Sequence, residues 1–144
     1  MTQAVFKKNK ILIVDVQIVI RKSIKNLIST LIFELNLINL EIIEGSDGND
    51  IIDLLSEDYF GDDCIRLIIT DEDMECINGS TAIKKMRILE NERNLKAKIF
   101  VSVTSSADDD INRERILQNG ADKILSKPPS KNQFKDLLII SLAS

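Results

Sequence analysis

An apolar run that stops abruptly on acids constrains the fold of this 144-residue chain more than any other stretch. Residues 67–70 read Leu-Ile-Ile-Thr, and Asp71, Glu72 and Asp73 follow directly. A short apolar run bounded in this way is typical of a strand in a parallel sheet that is covered on both faces. Ligands of open α/β sheets bind outside the carboxyl ends of such strands. The stretch therefore predicts that Asp71 lies at the edge of a pocket.

A second apolar run, residues 11–14, ends on Asp15 in the same way. If the two strands are neighbours, Asp15 and Asp71 lie close together. Clustered carboxylates repel each other unless a cation or a proton intervenes, so the pair indicates a metal site or a raised pKa. The alternative is that each aspartate only caps the helix that follows it, because Asp is a favoured N-cap residue.

Hydrophobic periodicity predicts five strands that alternate with five helices. The strands are Lys10–Asp15, Leu40–Glu44, Ile65–Thr70, Ile99–Val103 and Ala121–Leu125. The helices are 17–35, a short one after Gly48, 80–92, one that ends at Gly120, and 131–142. Helical crossovers require parallel strands. The predicted fold class is therefore α/β: one doubly wound (βα)5 domain over residues 1–144, with its core at about residues 10–142 and strand order 2-1-3-4-5.

Composition excludes several classes of function. The formal net charge is -4, which argues against a nucleic-acid partner. The apolar runs are too short to span a bilayer and the chain opens without a signal peptide, so we expect no membrane partner and a cytoplasmic location. The chain has no histidine, which excludes histidine-based acid–base catalysis. Cys64 and Cys76 lack the spacing of a zinc site and are expected to be free thiols.

The carboxyl ends of the first, third, fourth and fifth strands place Asp15, Asp71, Thr104 and Lys127 at one edge of the sheet. Magnesium takes carboxylate oxygens, while a hydroxyl and an ammonium donate to phosphate oxygens. An aspartate is also able to act as a nucleophile and form an acyl phosphate. No glycine-rich phosphate loop is present, which argues against nucleotide binding. Taken singly, Thr104 fits a cap or turn, and Lys127 fits a solvated surface lysine.

Four segments resemble the receiver domains of two-component response regulators and hybrid histidine kinases. They are residues 11–15 (ILIVD), 71–79 (DEDMECING), 103–105 (VTS) and 120–128 (GADKILSKP). The resemblance covers nearly the whole chain and implies the flavodoxin-like receiver fold. It also implies a role in signal transduction in which the domain catalyses only its own phosphorylation and dephosphorylation, so that it is not an enzyme in the usual sense.

The same resemblance implies the role of each site residue. Asp71 is the phosphoacceptor, which takes its phosphoryl group from a histidine kinase or a histidine phosphotransfer protein. Thr104 hydrogen-bonds the new phosphoryl group and Lys127 pairs with it, after a Lys127-Pro128 peptide bond that is usually cis. A Mg2+ ion assists, and in this chain we expect Asp15, Asp71 and Asp73 to be its ligands.

Val16 departs from the family pattern, because receivers normally carry a second metal-ligating acid at this position. We therefore expect Mg2+ to bind weakly unless Asp15, Asp73 or Gln17 compensates. The alternative is a pseudo-receiver, a protein-binding module that acts without phosphorylation. A flavodoxin-like cofactor binder is a third reading, but no loop suits a flavin phosphate. Ile124 also departs, since it stands where the family's switch aromatic is expected.

A docking patch is predicted beside the pocket. Ile18 and Val19 cannot both join the helical stripe that buries Ile20, Ile24 and Leu27. Exposed apolar side chains next to a charged pocket indicate an interaction surface. The family resemblance agrees, because receivers commonly dock a helical phosphotransfer partner against this helix and the loop after the fifth strand, which is formed here by residues 127–129 and contains Pro128. The alternative is that surrounding loops cover Ile18 and Val19.

Overall fold

The computed structural model describes residues 9–58, 64–92, 99–106 and 110–142, which form five strands and five helices in alternation. The strands are β1 (Asn9–Val14), β2 (Leu40–Gly45), β3 (Cys64–Asp71), β4 (Phe100–Ser105) and β5 (Lys123–Ser126). The helices are α1 (Ile18–Glu34), α2 (Gly48–Asp58), α3 (Gly79–Glu92), α4 (Asp110–Gln118) and α5 (Lys131–Leu142). None of these helices is long and apolar enough to cross a membrane.

The five strands pair in parallel in the order β2-β1-β3-β4-β5, which confirms the predicted topology. Strand boundaries differ from the prediction by one or two residues. Asp71 is itself the last residue of β3, where it pairs with Thr104 of β4. Ala121 lies outside β5, because its amide closes the end of α4 on the Ile116 carbonyl. Gly120 ends that helix with φ +113, a left-handed conformation that glycine adopts without strain.

The core has one half on each face of the sheet. Leu12, Val14 and Ile68 pack with α2 and α3 on one face, while residues of opposite parity along the same strands pack with α1 and α5 on the other. Apolar residues on both faces explain why β1 and β3 read as continuous apolar runs. Because these two strands lie in the middle of the sheet, their carboxyl ends are held in place from both sides.

Arg87 of α3 ties the opposite edge of the sheet together. Its guanidinium donates to the Glu90 carboxylate at 2.7 Å, to the Ile99 carbonyl at 2.8 Å and to the Asp122 carboxylate at 2.8 Å. A further bond of 3.0 Å reaches the Gly120 carbonyl. This cluster joins α3 to the starts of β4 and β5, away from the predicted pocket.

Candidate functional site

The carboxyl ends of four strands bring Asp15, Asp71, Thr104 and Lys127 together. Asp15 follows β1, Asp71 ends β3, Thr104 lies in β4, and Lys127 follows β5. All four side chains line one pocket of about 320 Å³. The Lys127-Pro128 peptide bond is cis.

Helix capping does not account for either aspartate. The Oδ1 atom of Asp15 accepts a 2.8 Å hydrogen bond from the amide of Gln17, which precedes α1 and makes no side-chain cap itself. Asp71 is separated from α3 by a loop, and α3 begins only at Gly79. The two acids therefore lie at the strand ends as pocket-lining groups.

The carboxylates of this pocket are buried and short of positive charge. Lys127 Nζ lies 2.5 Å from Asp71 Oδ1. The two groups form an ion pair, and Asp71 Oδ1 has no further partner among the described residues. Burial raises the pKa of the Asp15 carboxyl, and the charge of Asp71 adds to the rise, against the opposing effects of the Gln17 amide and Lys127. Such a pair suits a cation.

The Thr104 hydroxyl is buried beside Asp71 and has no hydrogen-bond partner in the described part of the chain. Buried hydroxyls are nearly always paired, so an exception calls for an explanation. Thr104 and Asp71 are direct register partners on adjacent strands. The hydroxyl is therefore placed to donate to an oxygen atom of a group carried by Asp71.

Asp73 does not complete a cluster of three carboxylates with Asp15 and Asp71. Within the described residues, no group of three or more acids and cysteines is arranged to hold a metal ion. The side chain of Asp73 is exposed, and Val16 offers no ligand oxygen. Asp15 and Asp71 alone fit a divalent cation of the kind that keeps several of its waters, since Mg2+ is often held by one or two carboxylates.

Glu72 is a site residue that the sequence analysis missed. It is only 3% exposed, and its carboxylate accepts 2.7 Å hydrogen bonds from both the amide and the hydroxyl of Ser80. Its amide donates to the Thr104 carbonyl at 3.1 Å, and Arg115 of α4 lies 3.4 Å from the carboxylate. Glu72 thus fastens the loop after Asp71 to α3, β4 and α4. Nothing in the sequence distinguishes it from its exposed neighbour Asp73.

Arg21 of α1 hydrogen-bonds to the backbone of Asp15 and helps to fix its position. Its Nη1 atom donates to the Asp15 carbonyl at 2.8 Å, and its Nε atom donates to Glu44 at 3.1 Å. A hydrogen bond from Lys22, with those from Arg21 and Lys25, lowers the pKa of Glu44 to about 2. Glu44 therefore remains charged at neutral pH and holds Arg21 in place.

The predicted docking residues lie on the surface beside the pocket. Ile18 is 58% exposed and Val19 is 78% exposed, so the described loops do not cover them. Pro128 is exposed as well and lines the pocket together with Val19. Ile20 was expected in the buried stripe of α1, but it is 39% exposed. It lines the open pocket and does not pack into the core.

Comparison with solved structures places the chain among receiver domains by fold. A two-component response regulator from Cytophaga hutchinsonii is 22% identical, with a TM-score of 0.76 over 96% of this chain and 100% of that one. The receiver domain of a sensor histidine kinase from Pseudomonas aeruginosa, with a magnesium ion coordinated in its active site cleft, is 19% identical, with a TM-score of 0.73 over 95% and 99%.

A third similar structure is the complex of a histidine phosphotransfer signaling protein with the receiver domain of its downstream response regulator, from Saccharomyces cerevisiae. It is 16% identical, with a TM-score of 0.75 over 96% of this chain and 92% of that one. No functionally curated protein matches the chain. Residues 11–139, which include all four strand-end side chains, match the response regulator receiver domain, and the chain belongs to that family.

Proposed function

We propose that this receiver domain takes a phosphoryl group from a phosphohistidine donor onto Asp71 during two-component or phosphorelay signalling. One observation carries the proposal: a buried carboxylate ends the central strand between the Lys127 ammonium and the unpartnered Thr104 hydroxyl. The domain then catalyses only its own phosphorylation and dephosphorylation, and it is not an enzyme that acts on a separate substrate.

In the proposed reaction, a carboxylate oxygen of Asp71 attacks the phosphorus atom of the donor phosphohistidine. The new O–P bond makes an acyl phosphate, and the P–N bond breaks with its electron pair returning to the imidazole. Lys127 neutralises charge on the phosphoryl oxygens, and the Thr104 hydroxyl donates to one of them. A divalent metal held by Asp15 and Asp71 would supply further charge neutralisation.

A magnesium ion is the metal we propose. Support comes from the two buried carboxylates and from the similar Pseudomonas aeruginosa receiver, which has magnesium in its cleft.

Val16 favours the second candidate, a pseudo-receiver that binds partners without phosphorylation. Beryllium fluoride, a phosphoryl mimic, separates the two. A fluorine NMR signal of bound fluoride that requires both metal and protein supports the receiver, and no signal at saturating Mg2+ supports the pseudo-receiver.

Val16→Asp is expected to tighten Mg2+ binding by about tenfold, because charge count sets the affinity of a hard-cation site. A Mg2+ titration followed by NMR shifts of the pocket residues measures the change. Val16→Asn is the matched control, because asparagine has nearly the size of aspartate but no charge. It should increase the Mg2+ affinity by less than Val16→Asp does. Equal affinities in all three proteins would mean that another group already fills this coordination position.

Lys127→Ala is expected to slow phosphotransfer to Asp71 by about tenfold or more. Hydrogen bonds to charged groups contribute roughly 1.5–3 kcal/mol, and this one would be strongest when phosphate charge builds up. Lys131→Ala is the control, since Lys131 lies at the start of α5 and pairs with Glu34 at 2.9 Å. Transfer at the wild-type rate in Lys127→Ala, with both variants folded by circular dichroism, would remove Lys127 from the reaction.

The partner we propose is a histidine kinase or a histidine phosphotransfer protein that docks on Ile18, Val19 and Pro128. The yeast complex supports a partner of this kind. The exposure of these apolar side chains beside Asp71 supports the position of the surface.

We also infer a cytoplasmic location without a nucleic-acid or membrane partner, in keeping with the acidic charge and the free thiol of Cys76.

Replacement of both Ile18 and Val19 by Ser is expected to slow transfer from a protein donor by about tenfold or more, because truncation of a single interface anchor costs about 1 kcal/mol or more. Labelling by acetyl phosphate, which needs no docking surface, should stay unchanged. Phe33→Ser is the control, since Phe33 is 83% exposed at the far end of the same helix. Equal loss with both donors would indicate damage to the pocket and would contradict docking at this patch.

A further inference from the structure

The peptide unit that joins Asp71 to Glu72 is held from both sides. Its N–H group donates to the Thr104 carbonyl at 3.1 Å, and its carbonyl accepts a 3.0 Å hydrogen bond from the Thr70 hydroxyl. Because β3 ends at Asp71, these bonds lie where the regular pairing of the strand stops. The orientation of this peptide unit helps to fix the direction in which the Asp71 side chain leaves the backbone.

Helix α3 begins directly against this peptide unit. A Cβ atom on Gly79, the first residue of α3, would collide with the Asp71 carbonyl oxygen. The Gly79 amide donates to the Glu72 carbonyl at 3.0 Å. The amide and the hydroxyl of Ser80 both donate to the Glu72 carboxylate at 2.7 Å. Glu72 therefore supplies acceptors for the first two N–H groups of α3, which have no partner within the helix itself.

This connection requires a long side chain with a polar end. Glu72 is 3% exposed and Ser80 is fully buried, and a buried donor that loses its acceptor is costly. A carboxylate also suits the N-terminal end of a helix, and Arg115 lies 3.4 Å from it. An apolar side chain of the same length would fill the space, but it would leave the amide and hydroxyl of Ser80 without an acceptor. The start of α3 would then no longer be fastened to the residue after Asp71.

We propose that Glu72 is a positioning residue for the transfer of a phosphoryl group to Asp71, an inference that rests on the proposed function. Its carboxylate fastens the peptide unit after Asp71 to the start of α3, and this keeps the Asp71 carboxylate beside Lys127 and Thr104. Glu72 itself contacts no reacting atom. Precise placement matters because a displacement of about 1 Å can slow a reaction on the order of 100-fold.

Two substitutions of Glu72 in the full chain test the proposal. Glu72→Met should lower the maximal rate of transfer from a protein donor by about tenfold per folded molecule. The donor concentration that gives half of that rate should not change, because the docking residues are untouched. Glu72→Gln should stay within about threefold of the wild type, because its amide can both accept from the Ser80 amide and donate to the Ser80 hydroxyl oxygen.

Glu90→Met is the matched control, with the folded fraction of every variant measured by circular dichroism. Glu90 is also buried, at 5% exposed, and it also accepts from a backbone amide, that of Ile99, and from an arginine. These bonds lie away from the pocket. Glu90→Met should therefore lower stability and leave the rate per folded molecule at the wild-type value.

A double-mutant cycle with Thr104 separates positioning from a loss of stability. Thr104→Ala removes the hydroxyl that lies beside Asp71. If Glu72 keeps Asp71 next to that hydroxyl, Glu72→Met should slow transfer by only about threefold or less in the Thr104→Ala protein, because the two effects are coupled. A purely structural role would lower the urea midpoint of unfolding and leave the two rate effects multiplicative.

Hydrogen exchange measures the fastening without a phosphoryl donor. The protection of the residue 72 amide, which bonds to the Thr104 carbonyl, should fall by at least about tenfold in Glu72→Met and stay near the wild type in Glu72→Gln. Ser80→Ala removes a single donor and should give a smaller fall, and it takes the place of Glu72→Met if that variant does not fold.

Three results would overturn the proposal. The first is unchanged protection of the residue 72 amide in Glu72→Met and in Ser80→Ala. The second is an equal loss of rate per folded molecule in Glu72→Met and Glu90→Met. The third is a rate for Glu72→Gln as low as that for Glu72→Met, which would exclude the hydrogen bonds to Ser80 as the cause. A wild-type protein that acetyl phosphate does not label would instead contradict the proposed function, while hydrogen exchange would still show whether Glu72 holds the peptide unit.

Discussion

Asp71→Asn is expected to abolish labelling of the domain by acetyl phosphate and by a phosphorylated donor protein. The amide has nearly the shape of the carboxylate but no nucleophilic oxygen, so the acyl phosphate cannot form. The domain should remain folded, because Lys127 is partly exposed and keeps access to water when it loses Asp71. Intact-mass spectrometry after incubation with each donor measures the phosphorylated fraction directly.

Asp73→Asn is the matched control for this experiment. It makes the same chemical change two residues along the chain, at a side chain that is exposed. Its labelling should stay close to that of the wild type if Asp73 has no part in the chemistry. Labelling of Asp71→Asn at the wild-type stoichiometry would place the phosphoryl group on another residue and would contradict the proposed function.

Arg87→Met is expected to lower the free energy of unfolding by about 3–5 kcal/mol, the largest stability effect we predict. Glu90 is 5% exposed, and the guanidinium is its ion-pair partner at 2.7 Å. Without Arg87, a buried charge loses its compensation, and the Gly120 and Ile99 carbonyls lose a donor. Methionine keeps the apolar stem of the arginine, so the loss reports mainly on the charged head.

Urea unfolding measures this change, with Lys84→Met as the control on an exposed position of the same helix. The double variant Arg87→Met/Glu90→Gln should recover part of the loss, because it removes the buried charge together with its partner. A loss below about 1 kcal/mol for Arg87→Met would show that water replaces the guanidinium at little cost.

The sequence was sufficient to predict the architecture because its signals are local. Apolar runs that alternate with helical stripes define the strands and helices, and parallel crossovers then bring all the carboxyl ends to one edge. This rule places Asp71 and Lys127 in one pocket although they are far apart in the chain. Strand ends shifted by a residue or two, because hydrogen bonds such as that from Ala121 to Ile116 decide the boundary, and hydrophobicity does not.

Features that depend on tertiary packing could not be predicted in this way. The burial of Glu72 depends on the amide and hydroxyl of Ser80 meeting its carboxylate across a loop. Asp73 lies two residues beyond the end of β3 and is exposed, so the regular geometry of the strand does not fix its side chain. The part of the pocket that runs between α1 and α5 arises only because both helices pack on the same face of the sheet.

The pairing of Asp71 with Thr104 fixes the distance between the ends of β3 and β4 at the bottom of the pocket. Backbone pairing sets the spacing of adjacent strands at about 4.8 Å, and substitutions in loops do not alter it. The amide of Glu72, which donates to the Thr104 carbonyl, extends the same fastening one residue beyond Asp71. If Asp71 carries the proposed phosphoryl group, the side chains around it, rather than the spacing of the two strands, would have to accommodate that group. The spacing of the two strands therefore sets the width of the pocket floor. The side chains that line the pocket determine which groups it binds.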